Sequence, residues 1–115
     1  MTAKIRFYRD FSHQPRVQAD AESFVLADYL ESDLQDSVTA TEVAQMLLKE
    51  RSGEDLEISG NSYTLILQGD EVCLENLFDD TAPLYKMPVA TFTPLVTGWV
   101  EFLTNENLLS LVPAF

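Results

Sequence analysis

Basic residues, histidine, cysteine and clustered glycine are all scarce in this chain, and each scarcity removes a class of function. Seven Lys and Arg stand against nineteen Asp and Glu, a formal net charge of −12. A polyphosphate partner normally requires a basic footprint, so direct binding of nucleic acid is not expected. An anionic membrane surface is disfavoured on the same ground. The one histidine, His13, falls in the turn-like SHQP two residues before Pro15. With only Asp10 nearby to orient it, His13 reads as a solvent-exposed turn residue and not as a general base. The one cysteine, Cys73, lies between Val72 and Leu74 with Glu71 and Glu75 around it. These neighbours supply none of the positive charge that a reactive thiolate needs, so Cys73 reads as structural. A lone cysteine also makes no internal disulfide, in agreement with a reducing compartment.

The four glycines, at positions 53, 60, 69 and 98, never form GxGxxG or GxxxxGK, which leaves no backbone cradle for a phosphate. GxSxG, HExxH and the EF-hand spacing are missing too, and no cofactor or metal is expected. Paired carboxylates do acid/base chemistry only when burial drives their pKa values apart. Here the acids fall on turns and outward strand positions. The expectation is a protein that is not an enzyme. No stretch approaches the roughly 20 apolar residues that span a bilayer. The N-terminus, MTAKIRFYRDF, lacks the apolar core of a signal peptide, and a cytoplasmic location is expected.

What the chain does contain is enough for one core. With 46% hydrophobic and 10% aromatic residues, a single domain over residues 1–115 needs no staple. Alternation over Lys4 to Phe11 predicts a strand, and Arg16 to Ala19 a short second one, with Pro15 confining it to an edge or a strand start. Phe24, Val25, Leu26, Tyr29, Leu30 and Leu34 recur at helical spacing over 21–36 among Asp28, Glu31, Asp33 and Asp36, predicting a helix with an acidic outer face. TATE reads as a capping box, Thr39 to Glu42, opening a second helix that stops near Gly53. Leu56 to Glu75 alternates through two Gly-containing turns, the signature of a three-strand antiparallel meander. LYKMPV adds a possible fourth strand. Phe92, Leu95, Val96, Trp99, Phe102 and Leu103 form the buried stripe of a last helix starting near Ala90 or Thr91, with Pro94 in its first turn. The apolar LLSLVPAF is expected to dock on the body. The fold class is α+β: a four- to five-stranded, mainly antiparallel sheet with about three helices packed on it.

Charge is unevenly placed. Residues 1–19 hold Lys4, Arg6, Arg9 and Arg16 against Asp10, a net of +3; the remainder holds Lys49, Arg51 and Lys86 against eighteen acids, a net of −15. Asp28, Glu31, Asp33 and Asp36 form one candidate contact patch, and Asp70, Glu71, Asp79 and Asp80 a second. Carboxylates in this number suit a basic protein partner, because complementary potentials speed encounter and reject wrong partners.

The run LEISGNSYTLILQGDEVCLENLFDD, followed by Tyr85 and FTPLVTGWVEFL, resembles small cytosolic immunity proteins of bacterial contact-dependent inhibition and related polymorphic toxin systems. The resemblance spans about residues 56–103. It implies a non-enzymatic inhibitor that binds one cognate toxin domain, frequently a nuclease, and occludes its active site. Tyr63, Trp99 and Phe102 would then be core, and the acids with Tyr85 would make contact. The alternative is a small protein-interaction module or regulatory subunit with no toxin partner.

Overall fold

The computed structural model describes residues 5–49 and 55–113. Ile5–Arg9 (β1) and Pro15–Ala19 (β2) pair as an antiparallel hairpin, with Phe7 opposite Val17. Period-two alternation turns Ile5, Phe7 and Val17 into the core. Pro15 opens β2, as its missing N–H requires. The connecting turn is closed by Asp10, whose carboxylate accepts the amides of Ser12 and Gln14, and exposed His13 takes the left-handed conformation at φ 63°.

A 3₁₀ turn at Ala21–Ser23 leads into Phe24–Ser32 (α1), and Ser37–Leu48 (α2) follows. The second helix starts earlier than TATE suggests. Asp36, with extended backbone, is the N-cap, and its carboxylate accepts both the N–H of Thr39 at 2.8 Å and its hydroxyl at 2.9 Å. Thr39 is thus a donor to the cap three residues before it, and Glu42 is an exposed mid-helix residue. The helix ends at Leu48, where Lys49 turns extended as its C-cap, ahead of the stop expected near Gly53, which lies outside the described residues.

Leu56–Ser59 (β3), Tyr63–Gln68 (β4), Glu71–Asn76 (β5) and Tyr85–Pro88 (β6) form the antiparallel meander, in spatial order of sequence. LYKMPV does supply its fourth strand. Gly69, at φ 58°, occupies the tight β4–β5 turn, where a side chain would be strained. Val89–Thr104 (α3) then crosses the core. Its Pro94 stands in the second turn and not the first, so the helix forgoes one main-chain bond there. Ser110–Leu111 (β7) returns to pair with β1. The architecture is α+β, with its strands divided between two antiparallel sheets, β2-β1-β7 and β3-β4-β5-β6.

Both sheets and all three helices share one core. Trp99, Phe7, Phe92 and Phe102 are fully buried at its centre. The rings of Phe7 and Trp99 meet edge to face at 4.9 Å, and the indole N–H of Trp99 donates to the Leu34 carbonyl at 2.7 Å, as a buried tryptophan requires. Arg9 fastens the tail. Its guanidinium lies over the Phe102 ring and donates to the carbonyls of Phe102, Asn105 and Leu108. Pro113 is buried beside Gly98, so the apolar tail docks through a strand. No described helix is long and apolar enough to cross a membrane.

Candidate interaction surface

The four acids around α1 all meet donors of the fold, and they differ in burial: Asp33 is buried, Asp28 and Glu31 are half-buried and Asp36 is exposed. Asp28 accepts the phenolic hydroxyl of Tyr63 at 2.7 Å. Burial first, and then this bond to Asp28, raise the Tyr63 hydroxyl above its usual pKa. Glu31 accepts Arg16 Nε at 2.9 Å and the N–H of Val17 at 3.1 Å, clamping α1 to β2. Asp33 is buried. Its carboxylate accepts the amides of Ser62 and Tyr63 and the hydroxyl of Ser32, and only a glycine fits at position 60 above it, because an added Cβ would stand 2.4 Å from Asp33 Oδ2. Asp36 is the α2 cap, and the Thr39 backbone N–H, then its hydroxyl, hold the carboxylate below the ordinary range. Of the expected acidic face, Asp33 is withdrawn into the fold, while Asp28, Glu31 and Asp36 keep part of their surface open and are engaged by donors within the fold.

The second expected patch is also divided. Asp70 lies in the turn before β5 and Asp79 and Asp80 in the loop after it, so the six residues of β5, about 20 Å, separate them. Between the two ends, Glu71 and Glu75 stand exposed on the face of β5 opposite Val72 and Leu74, which are core. Register places Glu57, Ile66, Cys73 and Lys86 in one row across this same face. The acids therefore make a stripe along β5 with Lys86 beside its middle. Tyr85 is not on it. Paired with Leu74, Tyr85 turns toward the core, and burial first, then the charges of Asp20 and Glu22, raise its hydroxyl pKa.

The basic N-terminal segment is largely consumed within the fold. Arg9 serves carbonyls, Arg6 donates to Gln18 and lies over Tyr8, and Arg16 pairs with Glu31 and Asp10. These two ion pairs of Arg16 are the ones present among the described residues. Asp70, Glu71, Glu75, Asp79 and Asp80 are exposed and take part in neither. Among the described residues no three of His, Cys, Asp and Glu gather as a metal site.

The β5–β6 loop adds a feature that the charge pattern hid. Phe78 is 82% exposed, next to half-exposed Leu77 and with Leu84 at the loop's far end. The backbone beneath it is fixed. Asn76 Oδ1 accepts the amides of Phe78 and Asp79, Leu77 N–H donates to Ser62 O, and Asp79 Oδ1 accepts the amide and hydroxyl of Thr81. Those Thr81 bonds, side chain first, lower the Asp79 pKa. The available signal was the apolar pair Leu77–Phe78 continuing past the last alternating residue of β5.

Residues 4–81 match the model of UPF0231, an uncharacterised protein family, and the chain belongs to that family. No curated protein and no solved structure gives a significant match.

Proposed function

We propose that this UPF0231 protein is a non-enzymatic, acidic binding protein whose partner is a basic protein, met through the β5–β6 loop and the acid-lined face of β5. One observation carries the proposal: five carboxylates, Asp70, Glu71, Glu75, Asp79 and Asp80, are exposed and stand outside the ion pairs present among the described residues. In a chain of net charge −12 such a stripe attracts a cationic surface and repels the anionic majority of cellular macromolecules. In its most specific form the partner is a cognate toxin domain, a nuclease by expectation, whose cationic cleft the carboxylates fill in place of phosphates. That form is supported by the sequence resemblance over about residues 56–103. An interaction module or regulatory subunit without a toxin partner is the second reading.

Affinity capture from a lysate of the native host, at low and moderate salt, tests the proposal with the wild type and with Asp79→Lys/Asp80→Lys side by side. The expected result is a single stoichiometric basic protein on the wild type that is lost from the variant. Toxicity of that protein when expressed alone selects the immunity form. Many weak partners, or none, contradict the proposal.

A further inference from the structure

Building on the acidic-binder reading, we infer that Phe78 is the anchor of the interface, and that the partner surface it fits is a cationic segment whose apolar side chains close around the phenyl ring. Three observations converge on this loop. First, a phenyl ring 82% exposed, with Leu77 and Leu84 at 45% each, is an apolar group that folding leaves unburied, and such groups, set in a polar rim, mark interaction sites. Second, the backbone that carries Phe78 is already fixed by Asn76, Ser62 and the Asp79–Thr81 pair. Little conformational entropy is left to lose on binding, which is the usual requirement of an effective anchor.

Third, the rim has one sign. Asp79 and Asp80 follow Phe78 directly, and Glu75 stands exposed at the adjoining end of β5. Thr81 occupies Asp79 Oδ1, whereas the exposed Asp80 carboxylate accepts no hydrogen bond among the described residues. A second copy of this chain is disfavoured as the occupant by the same charges, since two chains of net charge −12 would bring like carboxylates together. A neutral apolar partner would have to desolvate these carboxylates without compensation. Lys or Arg beside apolar side chains satisfies both the ring and the rim.

Panning short random peptides, displayed on phage, against the immobilised full chain tests this assignment. The enriched peptides are expected to combine Lys or Arg with Trp, Leu or Ile. Their affinity should fall at least about tenfold on Phe78→Ala and on Asp79→Asn/Asp80→Asn, recover in part on Phe78→Leu, and change little on Glu42→Gln/Glu101→Gln, exposed acids of α2 and α3. The melting temperature of Phe78→Ala should match the wild type, because the ring is exposed. Basic, apolar peptides that bind Phe78→Ala as well as the wild type overturn the anchor and leave the acidic-binder reading standing. Neutral or acidic peptides, or no enrichment, overturn both.

Discussion

The carboxylate of Asp33 accepts the main-chain N–H of Tyr63 at 3.0 Å, and through this bond the end of α1 holds the β3–β4 turn in place. Ser62 donates to the other carboxylate oxygen at 2.8 Å, and Asn61 Nδ2 reaches the Ser32 carbonyl. Ser62 in turn accepts Leu77 N–H. The helix, the turn and the root of the Phe78 loop thus form one connected structure.

Asp33→Ala is expected to cost about 3 kcal/mol, since it strands the amides of Ser62 and Tyr63 where little water reaches them. Gly60→Ala should also destabilise, by driving its methyl group against Asp33 Oδ2. The two losses should not add: truncation of Asp33 removes the carboxylate contacts and leaves only its Cβ, at 3.0 Å, against the added methyl group, so Gly60→Ala costs less. Denaturant unfolding of both single variants and the double checks this. Strictly additive losses would show that position 60 does not press on Asp33.

Trp99→Ala should cost about 3–5 kcal/mol, the range for emptying a large aromatic site in a core. Trp99→Phe keeps most of the volume but leaves the Leu34 carbonyl without its donor, and should cost less. A thermal melt of each variant decides the order.

Arg9→Ala should loosen the C-terminal tail, and Arg6→Ala should not. The Arg9 guanidinium ties two carbonyls of the segment that follows α3, those of Asn105 and Leu108, to the Phe102 carbonyl in the last turn of α3; Arg6 meets an exposed glutamine. Hydrogen exchange of residues 105–112 is expected to accelerate in the first variant and to stay at the wild-type rate in the second.

Stability should fall at both ends of the pH range. Asp36 and Asp79 have native pKa values below the ordinary 3.8. Their stabilisation is present above that unfolded value and is lost as pH falls through the native one. Asp36→Asn keeps a capping oxygen without the titration, so its melting temperature should decline less steeply below about pH 4. Tyr29 and Tyr63 are raised from 10.0, each chiefly by burial. Their contribution is complete below pH 10 and is lost as pH rises beyond it, and Tyr63→Phe should flatten that alkaline limb.

Strand periodicity was the most legible part of this sequence. The meander from Leu56 to Glu75, the LYKMPV strand and the aromatic stripe of α3 follow from alternation and 3/4 spacing, and the structure places them so. The carboxylates around α1 were less legible, because helical periodicity places Asp28 and Glu31 off the apolar face but cannot tell water from a neighbouring donor. The partners of Asp33 are 29 and 30 residues away, beyond any local pattern. Division of the strands between two sheets rests on which strands do not pair, since the β1–β2 hairpin stays apart from the meander and takes as its third strand β7, two residues long and about a hundred positions away, which no local pattern shows. Phe78 was masked by the acids after it, since a single exposed aromatic residue has no period.

The central claim is that the carboxylates of the β5–β6 loop draw in a basic protein, and the association rate of the captured partner measures this most directly. Rates for the wild type and for Asp79→Lys/Asp80→Lys should be recorded from about 0.05 to about 0.3 M salt. The wild-type rate is expected to fall steeply with salt, and the variant to start at least about tenfold lower with a shallower dependence. Equal rates for the two proteins, insensitive to salt, would contradict the account.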